Sequence, residues 1–317
     1  MNHERLAKKN KFLMRASWQY WPRFRPSISF VIVAYKMQRE IARTLYTLNS
    51  DYQKGVNHKL YEVIVIDNGS PEPLRMIDLR EYFSGALRLI RLQKSSVSPA
   101  DAVNHGVAVA RASRVAVMVD GARMLSPGIV RGFLDAFRLR RAPFIYTLGW
   151  HLGEEPQNIS MTKGYNQDAE DRLLNSFNWR HNGYKLFHHS SLALSCKNGW
   201  FSKISESNCF AMRRCDFQEL GGFDARFQSP GGGLVNLDFF KRSVTNPKLN
   251  PILLLGEGSF HQFHGGVATN VRREDHPFEK FQQEYRSIHG SSYQTPTYSP
   301  IYFGTISEYS RKFLELK

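Results

Sequence analysis

The sequence predicts an α/β fold built around a mainly parallel sheet. Apolar runs begin near residues 28, 61, 87 and 115, and segments with helical spacing separate them. Strand–helix–strand repeats of this kind produce parallel strands joined by right-handed crossovers. With 317 residues, of which 42% are hydrophobic, the chain is long enough for one large α/β domain or two closely packed halves.

The predicted elements follow one another in a regular order. The apolar runs do not alternate with polar residues, which is typical of strands buried on both faces. We predict strands at 28–34, 61–66, 87–92, 115–119, 144–148 and 251–256. We predict helices at 38–48, 100–110, 127–140, 234–244 and 274–288, where apolar residues recur at helical spacing.

The fourth apolar run ends at a single carboxylate, Asp120, which Gly121 follows. Open α/β sheets bind ligands at the carboxyl ends of their strands, so we expect Asp120 at the centre of a site for a nucleoside diphosphate and a metal ion. The turn at 34–39 after the first strand has no glycine, and the sequence has no glycine-rich phosphate loop. A metal ion or a basic side chain must therefore hold the phosphates.

Charge and composition narrow the function classes. The net charge of +15 attracts polyanions, such as nucleoside diphosphates, nucleic acid or an anionic membrane face. Cys196, Cys209 and Cys215 lack metal-type spacing and fit a reducing compartment as buried thiols. No apolar run approaches the ~20 residues that span a bilayer, and no signal peptide is visible. We expect a cytoplasmic protein.

Basic and aromatic residues are interleaved in the N-terminal arm, residues 1–26. One interpretation is a solvated arm packed on its own domain. The other is an interfacial anchor, in which cations meet anionic lipid while Trp and Tyr side chains occupy the headgroup layer. The second interpretation would place the protein peripherally at the inner face of the membrane.

Two further segments have weaker patterns. Residues 151–206 are polar, and we predict loops there, with Trp150–His151 either in those loops or in a site that stacks on acceptor sugars. Residues 271–317 are charged and then rich in Tyr, Ser and Pro, and we expect this tail to fold over the active site or a partner.

Four stretches, 29–35, 62–70, 102–110 and 117–120, together resemble one enzyme family. They are similar to the nucleotide-sugar-binding half of family-2 glycosyltransferases, which have the GT-A fold. The resemblance covers residues 27–125 and continues more loosely to Gly266. It implies a nucleotide-sugar-binding half at 27–125, an acceptor-binding and metal-closing half at 126–270, and a C-terminal helix and tail at 271–317.

The resemblance assigns roles in the first half. Ala34 and Tyr35 would line the nucleoside pocket, and Asp67 would hydrogen-bond the nucleobase. The other interpretation of Asp67 is a turn carboxylate that binds nearby main-chain amides. Asn104 matches the Asn of the family's Arg-Asn-x-Gly helix, although the family's Arg is Val103 here.

The resemblance also implies a divalent cation, Mn²⁺ or Mg²⁺. Asp120 matches the first Asp of the family's Asp-x-Asp motif, but Ala122 stands in place of the second. One carboxylate can suffice, because diphosphate oxygens and water supply further ligands. Family members often add a histidine after the last strand of this half, and here His261 is the first choice and His264 the second. Arg123 is either a direct partner for the diphosphate or a solvated surface arginine.

The catalytic base is the least defined part of the predicted site. The family's Glu-Asp pair, whose Asp is the base of inverting members, aligns with Val235 and Asn236. The nearest carboxylate is Asp238, with Asp224 as the second choice. The alternative for Asp238 is a helical residue near the start of its helix.

The resemblance implies a glycosyltransferase that moves a sugar from a nucleoside-diphosphate donor to a hydroxyl of a glycan or lipid-linked acceptor in cell-surface polysaccharide synthesis. A catalytically degenerate GT-A module that binds glycan or a membrane partner is one alternative, favoured by the missing second Asp and the missing Glu-Asp pair. A nucleotidyltransferase is another, although its usual Gly-Gly-x-Gly-Thr-Arg start is absent. Only charge suggests nucleic acid, and the basic residues belong to no recognised module, so we expect no nucleic-acid partner.

Overall fold

A single mixed sheet runs through the computed structural model, which describes residues 25–93, 96–267, 269–272 and 274–314. Its strands are β1 (Ile28–Ala34), β2 (Tyr61–Asp67), β3 (Ala86–Arg91), β4 (Arg114–Met118), β5 (Arg123–Leu125), β6 (Pro143–Leu152), β7 (Ser190–Leu192), β8 (Cys209–Arg213), β9 (Asn250–His261) and β10 (Ile301–Gly304). The order across the sheet is β10-β9-β6-β8-β4-β1-β2-β3, with β5 paired to β9 and β7 paired to β6.

The helices flank this sheet. They are α1 (Gln38–Thr47), α2 (Met76–Arg80), α3 (Ala100–Ala108), α4 (Ile129–Ala136), α5 (Gln157–Ser160), α6 (Gln167–Asn175), α7 (Arg214–Glu219), α8 (Val235–Thr245) and α9 (Phe278–His289). Short 3₁₀ turns occur at His58–Leu60, Met161–Lys163, Gly183–Phe187, Leu194–Cys196, Pro230–Gly232 and Arg311–Phe313.

The first half of the sheet is parallel, as the sequence predicts. The pairs β1–β2, β2–β3 and β1–β4 are all parallel. Every residue of β1 and β2 is buried, because helices cover both faces of these strands. Alternate residues of β1 pack into two apolar clusters, one containing Ile41 of α1 and the other Val103 of α3.

The second half of the sheet is mixed. The pairs β6–β9 and β9–β10 are parallel, whereas β4–β8, β6–β8, β6–β7 and β5–β9 are antiparallel. Five of the nine pairings in the described chain are therefore parallel. The predicted α/β class with a mainly parallel sheet is confirmed, and two of the four antiparallel pairs involve β8, which lies between β4 and β6.

Several predicted boundaries are corrected. The strand predicted at 251–256 continues to His261, because Gly256 and Gly258 let an irregular but continuous strand follow β6. Trp150 and His151 lie in β6 and are buried, so the loop interpretation of this pair is wrong. The tail contributes an unpredicted strand, β10, at the edge beside β9.

Among the described residues, no helix combines the length and the apolar character needed to cross a bilayer. The N-terminal arm, residues 1–26, lies outside the described residues except for its last two positions.

Gly106 sets the distance between α3 and β1, because a Cβ at this position would lie 2.3 Å from Val31 Cγ1. Replacing a helical glycine by alanine usually stabilises a helix by about 1 kcal/mol. Here overpacking outweighs that gain, and we expect Gly106→Ala to lower the free energy of unfolding by about 1–2 kcal/mol in urea titrations.

The matched background is Val31→Ala, which removes the methyl group that the new Cβ would strike. Gly106→Ala should cost less in that background than in the wild type. An equal cost in both would show that the close approach to Val31 is not the cause.

Candidate functional site

Three neighbouring strands place basic side chains in one row. In the pairing of β9 with β5, His261 lies opposite Arg123, and in the pairing of β9 with β6, His261 lies beside His151. All three residues are buried, and the rings of His151 and His261 are 5.3 Å apart. Side chains of paired residues on adjacent strands share one face of the sheet, so this row forms one surface beneath the site.

Asp120 reaches this row from the carboxyl end of β4. Gly121 lets the chain pass closely over β1, because a Cβ there would lie 3.1 Å from the Val33 carbonyl oxygen. The Asp120 carboxylate accepts hydrogen bonds from the Ala122 amide at 3.1 Å and from Arg123 Nε at 2.7 Å. The turn after β4 thus delivers a partly exposed carboxylate beside the buried row.

Asp120, His261 and His264 form a group that is able to hold a metal ion. One ligand atom from each lies within 4.8 Å of the others. The Nε2 atoms of His261 and His264 are 3.1 Å apart. Two metal–nitrogen bonds of about 2.1 Å at roughly a right angle would give nearly this separation. Imidazole with carboxylate suits borderline cations such as manganese, so the residues fit a divalent cation.

Gln157 fixes the orientation of His261. Its Nε2 donates to the His261 carbonyl oxygen at 3.0 Å, and its Oε1 lies 2.8 Å from His261 Nδ1. Because an amide oxygen only accepts, Nδ1 of His261 carries the proton, and Nε2 keeps its lone pair toward His264 and Asp120. Metal-binding histidines are usually oriented by a partner of this type.

The three histidines are neutral. Burial lowers the pKa of His261 well below its usual range, and the charge of Arg123 lowers it further. Burial also lowers the pKa of His264, against the opposing effect of Asp120. Burial, with help from Arg123, brings the pKa of His151 to about 3. Neutral imidazoles add no charge that would repel a cation, and His261 and His264 are the two that face the position between them and Asp120.

The structure excludes one of the two interpretations of Arg123, that of a solvated surface arginine. Its exposed fraction is 4%, and its guanidinium forms an ion pair with Asp120. The charges of this pair cancel, so the site as a whole carries little net charge. Arg123 is placed either to meet a diphosphate or to compete with a cation for the same carboxylate.

Asp67 is fully buried at the end of β2 and holds a turn. Its two oxygens accept hydrogen bonds from the main-chain amides of Ser70 at 2.8 Å and Leu74 at 3.2 Å. This is the turn role that the sequence offered as an alternative. A nucleobase could reach the carboxylate only after the turn moved, and the nucleobase contact stays a prediction.

The end of β1 exposes Tyr35 but not Ala34. Tyr35 is 45% exposed, whereas Ala34 is fully buried against α1, and the predicted place of both residues in a nucleoside pocket stays a prediction. Lys36 has a φ of 54°, and its amide donates to Ser70 Oγ at 3.0 Å. This contact ties the Tyr35 turn to the Asp67 turn. Strained backbone of this kind is concentrated at ligand sites.

Asn104 connects α3 to the segment after α7. Its Nδ2 donates to the Phe223 carbonyl oxygen, and its Oδ1 accepts from the Phe223 amide, both at 2.8 Å. Gly222 makes room for this contact, since a Cβ there would lie 2.4 Å from Asn104 Oδ1. The structure gives Asn104 this structural role, and its predicted donor contact stays a prediction.

The two carboxylates predicted as bases are both held by arginines. Asp238 in α8 is buried, accepts a hydrogen bond from Arg242 Nε at 2.7 Å and lies 3.1 Å from His289 Nε2. An acceptor hydroxyl cannot reach a carboxylate so enclosed, which argues against Asp238 as the base. Hydrogen bonds from Arg226 lower the pKa of Asp224 and weaken it as a base.

Sequence reasoning missed the residues that support the metal group. Gln157 and Asn270 contact each other at 3.0 Å, and Asn270 Oδ1 accepts hydrogen bonds from the amides of Gly265 and Gly266 at 2.9 Å. The main-chain amide of Gln157 also donates a hydrogen bond to His151 Nδ1 at 2.8 Å. The glycine-rich stretch after His264 was the only local signal of this loop.

Comparisons with known proteins agree with this architecture. The family model "Glycosyl transferase family 2" matches residues 29–190. The structure of S. aureus TarS 1–349 in complex with UDP-GlcNAc has a TM-score of 0.52 at 14% identity, covering 83% of this chain and 65% of that chain. Another structure of S. aureus TarS 1–349 has a TM-score of 0.50 at 14% identity, covering 83% of this chain and 64% of that chain.

The present chain thus spans just under two thirds of TarS 1–349. At this identity the likeness concerns the fold, and it confirms the predicted GT-A class. No curated protein matches the chain by sequence.

We expect Asp67→Asn to lower the free energy of unfolding by about 1–3 kcal/mol. The substitution removes the charge that strengthens two buried hydrogen bonds and leaves only one oxygen to accept them. The control is Asp78→Asn, which removes one partner of an exposed ion pair with Arg75 and should cost less than about 1 kcal/mol. Urea unfolding compares the two, and equal costs would contradict the structural role of Asp67.

Proposed function

The chain belongs to glycosyl transferase family 2, and we propose that it transfers a sugar from a nucleoside-diphosphate donor to a hydroxyl of a glycan or lipid-linked acceptor in cell-surface polysaccharide synthesis. The family match over residues 29–190 is the basis for the reaction class. In this proposal residues 27–125 bind the donor, and residues 126–270 bind the acceptor and complete the metal site.

One observation supports the proposal most directly. Asp120, Arg123, His261 and His264 converge beside the carboxyl end of β4, although the sequence separates them by up to 144 positions. This is the edge at which open α/β sheets bind ligands. A carboxylate, a guanidinium and two neutral imidazoles are the groups that a diphosphate and its cation require.

The chemistry of glycosyl transfer explains why such groups are needed. The diphosphate gains negative charge as it leaves, and a preorganised cation stabilises that charge. When bound, a divalent metal would supply this charge as a Lewis acid, held by Asp120, His261 and His264. Arg123 lies beside Asp120 and would meet the same phosphates from the protein side. Tyr35, exposed at the end of β1, is the residue best placed to contact the nucleoside.

The donor and the metal define the first experiment. TarS has been solved with UDP-GlcNAc, which supports uridine diphosphate sugars as the first donors to test. Hydrolysis or transfer should be screened over UDP-, GDP- and dTDP-sugars, with and without Mn²⁺. Turnover of at least one donor supports the enzyme, and its absence across the panel would contradict the proposal.

A catalytically degenerate module that binds glycan is the second candidate. It is favoured by Ala122 and Asn236, which replace two carboxylates that the family resemblance leads one to expect. The same panel separates the candidates, since a degenerate module would bind nucleotide or glycan without turning the donor over.

We expect Mn²⁺ to bind through Asp120 and His261, so Asp120→Asn and His261→Gln should each weaken Mn²⁺ binding at least tenfold in calorimetry. His181→Gln is the matched control, because His181 is exposed and lies outside the site. If Arg123 serves instead of a metal, excess chelator will leave transfer unchanged and Arg123→Gln will be the damaging change. Full activity in chelator would contradict the metal proposal.

We also propose that the arm, residues 1–26, contacts an anionic membrane surface. Its interleaved cations and aromatic residues support this, at about 1 kcal/mol for each basic residue near the surface. The full chain should sediment with phosphatidylserine vesicles at low salt and be released at high salt. Equal sedimentation of a chain that starts at Ser27 would show that the arm is not the anchor.

A further inference from the structure

A carboxylate lies next to the position where the family resemblance leads one to expect the catalytic Asp. Asn236 occupies that position at the start of α8. Its Nδ2 donates hydrogen bonds to Glu206 Oε2 at 3.0 Å and to Asn208 Oδ1 at 3.2 Å. The amide orientation follows from Glu206, because a carboxylate oxygen only accepts. Position 236 is therefore occupied by an uncharged side chain that contacts an acid directly.

Glu206 belongs to the same sheet edge as Asp120. In the antiparallel pair β4–β8, Met118 lies opposite Cys209, and the Val119 amide donates to the Asn208 carbonyl oxygen at 3.2 Å. The segment 206–208 therefore runs alongside the residues that follow β4. Asp120 is one of these residues, since it comes directly after Val119.

The segment that carries Glu206 is firmly held. Ser207 Oγ donates to the Thr147 carbonyl oxygen of β6 at 2.8 Å. The hydroxyls of Tyr293 and Tyr298 donate to the carbonyl oxygens of Ser205 at 3.1 Å and Ile204 at 3.3 Å. The carboxylate is thus presented by anchored backbone, as a catalytic group must be.

Glu206 differs from the other candidate carboxylates, because none of the cationic side chains that the structure describes pairs with it. Asp120, Asp224 and Asp238 each form a salt bridge with an arginine. Within the described part of the chain, Glu206 forms no salt bridge, and its only hydrogen bond is the one from Asn236 to Oε2. Glu206 is half-buried, so part of the residue faces solvent.

The thiol of Cys196 is buried. Burial raises its pKa to about 11, Glu206 acts in the same direction, and Arg123 acts against it.

We propose that Glu206 is the general base of the reaction, acting from the position beside Asn236 in place of a carboxylate at 236. This inference rests on the proposed glycosyl transfer. As the acceptor oxygen forms its bond to the anomeric carbon, the bond from that carbon to the diphosphate breaks, and its electron pair leaves with the diphosphate. The hydroxyl proton passes to Glu206 Oε1 and is later released to water.

The test uses the full chain, the donor that the wild type turns over fastest in the nucleotide-sugar panel, and two acceptors. Water must lose a proton when it attacks, whereas azide is already an anion and needs no base. Glu206→Gln should lower the kcat of donor hydrolysis at least 100-fold and lower azide transfer less than about tenfold. Its Kd for UDP, or for the nucleoside diphosphate of that donor, should stay within twofold. Glu219→Gln, at an exposed surface ion pair with Lys248, is the control that should change neither rate.

A second variant moves the carboxylate instead of deleting it. Glu206→Gln combined with Asn236→Asp restores an acid at the family position. We expect the double variant to hydrolyse the donor at least tenfold faster than Glu206→Gln alone. It also keeps the proposal testable if Glu206→Gln alone folds poorly.

The outcomes separate this inference from the proposed function. A wild type that turns over no donor in the panel refutes glycosyl transfer, and the base with it. Turnover by the wild type with Glu206→Gln within threefold of its hydrolysis rate refutes the base alone. An equal loss of hydrolysis and azide transfer also refutes it, since the role of Glu206 would then be structural.

Discussion

The register of β9 is the constraint on which the rest of the site depends. One strand pairs along its length with β6 and at its end with β5, and this double pairing brings His261 beside both His151 and Arg123. A shift of one residue would turn His261 to the opposite face of the sheet. The irregularity in this pairing lies in β9, where the chain advances from Leu253 to Gly258 while β6 advances from Tyr146 to Leu148, and the regular register resumes before His261.

Burial and charge act together at this row of side chains. Burial keeps the imidazoles of His151, His261 and the neighbouring His264 neutral, while Asp120 neutralises the guanidinium of Arg123. An uncompensated charge in such a place would be costly. The arrangement therefore keeps a dry, nearly uncharged surface next to an open edge. A charged ligand arriving there would meet little competing solvent, which strengthens its interactions with the protein.

Much of the fold could be predicted because its strands are buried on both faces. The apolar runs of β1, β2 and β4 stand out in the sequence, and their predicted boundaries match the structure to within one residue. Strand β5 has three residues and no pattern of its own, and its place is set by pairing with β9. Asp120 and His261 could be found because each lies at the end of an apolar run.

The supporting residues could not be found in this way. Gln157 contacts a histidine that follows it by 104 positions, and nothing local to residue 157 indicates that partner. The same is true of Glu206 and Asn236, which meet only because β8 and α8 pack together. Asp67 and Asp238 were assigned chemistry from their positions, but hydrogen bonds that only the folded chain reveals give them structural partners.

The long-range pairing of β9 also determines when the site forms during protein synthesis. Strands β1 to β4 pair among themselves, and all four are made within the first 118 residues. Arg123 and His151 are made soon afterwards, but they acquire their neighbour only when residue 261 has left the ribosome. Until then β5 lacks its partner strand and the Arg123–Asp120 pair lacks its cover. Asp120 is therefore made long before His261 and His264, and the group of three side chains is complete only after β9 has paired with β5 and β6.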